Sequence, residues 1–142
     1  LWDKNGSGAG DTLYVRTMDR ALEAKKWGKY SAILWHQGEA NRTNWESIGY
    51  MDRLKEMTNN LRTDLENDTL LFVAGEIGHW REDNKPFNAL INTIEDNISQ
   101  SGVASAKDLV NITNLADQDS HFDSRDRIRT FIQGFSNTRS RT

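Results

Sequence analysis

Hydrophobic positions along this chain alternate between two periods. From Thr12 to Trp27, Leu13, Tyr14, Met18, Ala21, Leu22 and Lys25 recur near the spacing of a helix face, and Gly28 supplies a stop. "KYSAILW" then packs its apolar residues into one run, Ala32 to Trp35, of strand length. After the polar stretch HQGEANR, Thr43-Asn44-Trp45-Glu46 fits the capping box that opens a helix. Trp45, Ile48, Met51, Leu54, Met57, Leu61 and Leu65 step by three or four, which predicts a second helix to about Glu66.

"TLLFVAG" is a second buried strand ending at Gly75, followed by the polar turn Glu76-Ile77-Gly78-His79-Trp80. Pro86 suits the first turn of a third helix, whose face is Phe87, Leu90, Ile91, Ile94 and Ile98 before Gly102. "KDLVNIT", residues 107 to 113, reads as a third strand, and the loop "NLADQDSHFDS" leads to a last helix with Ile128, Phe131, Ile132 and Phe135 on one face. Helices alternating with short, wholly apolar strands predict an α/β domain with a parallel sheet and helices on both faces. Three strands are few for such a sheet, and the chain starts at Leu1 without an initiator Met. The expectation is therefore a single domain over residues 1–142 that is incomplete at its N-terminus.

Composition narrows the functional classes. The formal charge of −3, with both signs interspersed, provides no basic stripe for nucleic acid. No apolar stretch approaches the roughly 20 residues that span a bilayer, so neither nucleic acid nor membrane is an expected partner. The absence of Cys removes thiol nucleophiles and thiolate metal sites. The opening "DKNGSGAGD" is glycine-dense but lacks the spacing of a phosphate-cradling loop, and Ser7 within it follows no apolar strand.

Ligands of open parallel sheets bind beyond the carboxyl ends of the strands. That edge should gather His36 to Arg42, Glu76 to Arg81 and Asn114 to Asp123, which hold all three histidines of the chain. His36, His79 and His121 lack any close metal-binding spacing such as HExxH, so a zinc site is not expected. Acyl transfer suits these residue types better. It needs a nucleophile, a neutral His to take its proton, a carboxylate to orient that His, and fixed donors for the oxyanion. His121, flanked by Asp117, Asp119 and Asp123, has the base-and-carboxylate character; the alternative on residue types alone is a solvated loop with a helix cap at Asp123 or Ser124.

"AILWHQGEANR" together with "DSHFDS" resembles the sialate O-acetylesterase and acetylxylan esterase family of carbohydrate esterases, a branch of the SGNH hydrolase superfamily. The matching segments are WHQGE at Trp35 to Glu39, GEIG at Gly75 to Gly78, and HF at His121 and Phe122. The resemblance implies a three-layer α/β/α fold and removal of acetyl groups from sugar hydroxyls, with an acetylated carbohydrate as partner and no metal or organic cofactor. It makes His121 the general base, Glu39 the candidate carboxylate, and Gln37 the amide donor to the oxyanion. His36 then supports the loop, while Trp80 and Glu76 are candidates for substrate contact. It also tilts the compartment towards export.

The chain departs from that family in two places. The family's nucleophile sits in a G-Q-S-N-like turn after a first strand, and no such turn occurs here, so the serine is expected upstream and this chain alone is expected to be inactive. The residue three before His121 is Gln118 rather than Asp, leaving Asp117 and Asp119 as alternative acids. The rival reading is a non-catalytic carbohydrate-binding or structural α/β domain.

Overall fold

The structure, a computed structural model, describes residues 2–5 and 13–109. Helix α1 (Leu13–Lys25), strand β1 (Ala32–Trp35), helix α2 (Tyr50–Asp64), strand β2 (Leu71–Gly75), helices α3 (Lys85–Ile91) and α4 (Ile94–Asn97), and strand β3 (Ser101–Ala104) follow one another. The strands form a parallel sheet in the order β1-β2-β3, with Trp35 beside Ala74 and Ala74 beside Val103. This is the α/β class with a parallel sheet that the alternation predicts.

Side chains of a strand alternate between faces, and the two faces of this sheet differ. Trp35, Phe72 and Ala74 share one core cluster with Tyr14 and Met18 of α1, Leu54, Met57 and Leu61 of α2, Phe87 and Ile91 of α3, and Ile94 of α4. All four helices therefore contribute to that one face. Leu71, Val73 and Ala104 form a separate buried cluster, with Ala32 packed against it. The last helix expected from Ile128, Phe131, Ile132 and Phe135, which would cover that second face in a three-layer sandwich, lies outside the described residues. Among the described residues β1 is an edge strand, and Leu34 on it is 53% exposed.

Three element boundaries differ from the sequence reading. The second helix begins at Tyr50, not at the capping box: Asn44 to Gly49 is a string of turns, and Gly49 at the helix start has φ 60°, a left-handed conformation that suits glycine. The third helix is broken at Asn92-Thr93, where Asn92 Nδ2 donates to Asn88 O and Thr93 Oγ1 donates to Leu90 O. These bonds place side chains on carbonyls at the helix end.

Among the described residues the third strand is Ser101–Ala104, which the sequence reading did not expect; of the expected strand over 107–113, Lys107-Asp108 is a turn and residues 110–113 lie outside the described residues. The residues of β3, Ser101 to Ala104, are small, so it lacks the bulky run by which buried strands are recognised. Arg62 fixes the ends of β2 and β3. Its guanidinium, 4% exposed as a residue, donates to Leu70 O at 3.0 and 2.8 Å, Ser99 O at 2.7 Å and Gln100 O at 3.1 Å.

Candidate active site

At the carboxyl end of β1 the chain must leave the sheet immediately, and Gly38 makes that possible. A Cβ there would lie 2.2 Å from Phe87 Cε1, and the residue's φ is 155°. Glycine alone fits against the buried Phe87 ring. The preceding Gln37 is thereby held at the sheet edge, and Glu39–Asn41 turns as a short 3-10 helix.

Gln37 is anchored at both ends of its amide. Nε2 donates to Asn41 Oδ1 at 2.8 Å, and Oε1 accepts from the Tyr50 hydroxyl at 2.9 Å. The Tyr50 hydroxyl also lies 3.0 Å from Gln37 O, and it accepts the Trp35 indole N–H at 3.2 Å. Tyr50 is 7% exposed, with its ring edge-on to Phe87 at 5.0 Å. Burial pushes its phenol up to about 12, against the opposing Trp35 hydrogen bond and with the Glu39 charge adding to the rise. Tyr50 is therefore a protonated donor at every physiological pH.

The turn after β2 is organised around Glu76. Its Oε1 accepts from Asn92 Nδ2 at 2.6 Å, and its Oε2 accepts from His79 Nε2 at 2.9 Å, Ser105 Oγ at 2.8 Å and Ala106 N at 2.9 Å. Burial alone pushes this carboxyl up, but the bonds from Asn92, Ala106, His79 and Ser105 outweigh it and hold the group below the ordinary carboxylate range. Both oxygens of Glu76 are thus occupied in tying the β2 loop to the end of β3.

Further down the turn, Asn88 exchanges two hydrogen bonds with the backbone of Ile77, and Asn84 Nδ2 donates to Gly78 O at 2.7 Å. A Cβ on Gly78 would fall 2.3 Å from the Trp80 ring, so the indole lies directly on this glycine.

Two further contacts bind the β1 and β2 loops together. His36 Nε2 donates to Glu76 O at 3.2 Å. Asp83 accepts Arg81 through two nitrogens at 2.8 Å each and Arg42 Nε at 2.9 Å, while Arg42 Nη1 donates to Glu39 O at 2.6 Å. The Arg81 and Arg42 guanidiniums hold the Asp83 carboxyl far below its usual range. On the other side of Gln37 a cleft of about 640 Å³ opens between β1 and α2, lined among others by Trp2, Trp35, Gln37, Asn41, Tyr50 and Arg53.

The two described loops do converge at the sheet edge, as the crevice rule predicts. Gln37 faces the cleft, held as just described. Glu39 starts the 3-10 turn, and among the described residues its carboxylate has no hydrogen-bond partner. His36 bridges the loops, Glu76 is buried within them, and Trp80 lies on Gly78. His121, Asp117, Asp119 and Ser7 lie outside the described residues. Among the described residues no three His, Cys, Asp or Glu side chains gather as metal ligands do.

Sequence reasoning did not single out Tyr50, Asn41 or Asn92, and it offered Glu76 as a substrate contact where the structure makes it the hub of the turn. Their signal is tertiary, except that Asn41 falls four residues after Gln37, within reach once the chain turns helically.

Comparison with known proteins adds two matches. The family described as carbohydrate esterase, sialic acid-specific acetylesterase, matches residues 1–130. A phosphoribosyl-AMP cyclohydrolase of Methylibium petroleiphilum is 28% identical over 94 residues, which cover 55% of this chain and 64% of that protein. The chain thus spans less than two thirds of the length of that curated relative, and so distant a partial likeness carries no activity across.

Proposed function

The chain belongs to the carbohydrate esterase family of sialic acid-specific acetylesterases, and from that we propose that it supplies the base, the acid and the oxyanion donor of a sugar O-acetylesterase. The nucleophilic serine comes from a segment upstream of these residues. The serine hydroxyl attacks the acetyl carbonyl while His121 takes its proton. Gln37 donates an amide N–H to the resulting oxyanion. Collapse breaks the bond to the sugar oxygen, which leaves with the proton from His121, and an acetyl-serine remains. Water then attacks that ester with His121 again as base, releasing acetate and the serine. Glu39 orients and stabilises the imidazolium.

The observation that carries this reading is the Gln37 amide, fixed by Tyr50 and Asn41 at the carboxyl edge of the sheet on the wall of a cleft. An amide anchored through its oxygen and one N–H retains a second N–H for a ligand. Preorganised donors of that kind stabilise developing negative charge because they need no rearrangement as the reaction proceeds.

The deciding experiment is hydrolysis of p-nitrophenyl acetate and of acetylated sialic acid by the full-length protein and by its His121→Ala variant. A loss on the order of 10⁴-fold in kcat is expected, the scale on which triad members act. Near-normal turnover by the variant would rule out His121 as base, and an inactive parent would favour the binding-domain reading. The present chain alone is expected to show no His121-dependent hydrolysis.

A further inference from the structure

Gln37 is one link of a longer chain of hydrogen bonds. The Trp35 indole N–H donates to the Tyr50 oxygen at 3.2 Å, and the Tyr50 hydroxyl donates to Gln37 Oε1 at 2.9 Å. Gln37 Nε2 donates to Asn41 Oδ1 at 2.8 Å, and Asn41 Nδ2 donates to Asn44 Oδ1 at 3.2 Å. All four bonds run in one direction. An indole nitrogen can only donate. Trp35 therefore occupies the acceptor side of the Tyr50 oxygen and leaves the phenol proton to be shared between the two Gln37 oxygens, 2.9 and 3.0 Å away.

An amide side chain has two faces of opposite polarity, and rotating it by half a turn exchanges a donor for an acceptor. At an oxyanion site that exchange would replace attraction by repulsion. Bonds aligned head to tail also polarise one another, which strengthens the donor at the middle of the chain. Trp35, Gln37, Tyr50 and Asn41 all line the same cleft.

We propose that Tyr50 and Asn41 are positioning residues that hold the Gln37 side chain in the one orientation presenting N–H, rather than C=O, to the substrate's developing oxyanion, with Trp35 setting the direction. The inference rests on the reading of Gln37 as the oxyanion donor and adds to it how that donor is oriented. It explains why a bulky tyrosine is buried at the first position of α2, where helix formation alone makes no such demand.

The test is a double-mutant cycle on acetyl-ester hydrolysis in the full-length protein. Gln37→Ala should lower kcat by about 10²- to 10³-fold, the range for an oxyanion donor. Tyr50→Phe, which keeps the ring against Phe87, and Asn41→Ala should each lower kcat by about tenfold with KM within about twofold, less than loss of the donor itself. In the Gln37→Ala background both substitutions should have no further effect on kcat, because nothing remains for them to orient. In this chain, the side-chain NH₂ resonances of Gln37 should move towards those of a solvated amide in Tyr50→Phe.

Normal kcat in Gln37→Ala would overturn the oxyanion reading itself. An impaired Gln37→Ala beside an unaffected Tyr50→Phe and Asn41→Ala, or equal losses in both backgrounds, would overturn the positioning role while leaving Gln37 as donor.

Discussion

Glu76 Oε2 accepts a hydrogen bond from His79 Nε2 at 2.9 Å while Glu76 itself is only 5% exposed. The same oxygen takes the Ser105 hydroxyl and the Ala106 N–H, so one charge organises the ends of two adjacent strands. A carboxylate so solvated by the protein is stable in its ionised form, and it makes the fold acid-sensitive. Its folded pKa lies below the ordinary 4.5. It therefore contributes stability that is complete above that ordinary value and is lost as pH falls through the lowered folded value.

Glu76→Gln should cost about 2 kcal/mol near pH 7, since an amide nitrogen would face donors that now have an acceptor. Because the variant lacks the titrating group, its deficit should shrink as the pH is lowered below 4.5. Urea unfolding at pH 7 and at successively lower pH measures both effects. Stability profiles that stay parallel across that range would remove Glu76 as the acid-sensitive group.

At Gly38 the expected penalty is steric. Gly38→Ala places a methyl 2.2 Å from Phe87 Cε1, and overpacking of this kind costs about 1–3 kcal/mol. Phe87→Leu in the same protein should recover part of that cost, so the double variant should be more stable than the sum of the single losses predicts. Strictly additive losses would show that the backbone at Gly38, and not the Phe87 ring, sets the requirement.

Arg62→Leu should destabilise the chain by about 3 kcal/mol, because it strands the carbonyls of Leu70 and Ser99 and removes one of the two donors to Gln100 O, which keeps the Phe72 N–H. Arg62→Lys should recover little, since a point ammonium does not reproduce a planar fork reaching three acceptors. Chemical denaturation of the two variants separates charge from geometry. Full stability in the lysine variant would mean that charge alone is needed.

For the acid of the proposed triad, Glu39→Gln should reduce kcat more than Asp117→Asn or Asp119→Asn. Glu39 leaves the sheet beside Gln37, and among the described residues its carboxylate has no hydrogen-bond partner, so it remains available to an imidazole. Parallel kcat measurements on the full-length protein decide the matter. Should an aspartate variant be the most impaired, the acid lies in the histidine loop and Glu39 serves the turn alone.

Much of the α/β alternation was legible along the chain. Ala32 to Trp35 and Leu71 to Gly75 announce themselves as strands by consecutive apolar positions, and β2 is buried along its whole length while β1 keeps Leu34 exposed. Leu54, Met57, Leu61 and Leu65 mark the buried face of α2 by their spacing, and all four are buried. The WHQGE segment likewise falls at the carboxyl end of β1, where the sequence reading placed it.

The rest depended on partners distant in sequence. β3 was missed because its residues, Ser101 to Ala104, lack the bulky apolar run that marks a buried strand, and only its pairing with β2 reveals it. The capping box at Thr43 was overridden by the turns ending at Gly49, which bring Tyr50 beneath Gln37. By itself the sequence determined that the polar segments WHQGE and GEIG close β1 and β2, because periodicity and residue type are local properties. Only the tertiary structure decided that the Gln37 amide oxygen accepts from Tyr50 and that Glu76 is enclosed by Asn92, Ser105 and Ala106. A hydrogen bond is directional and acts only within about 3 Å, so it exists once packing has brought separate segments together.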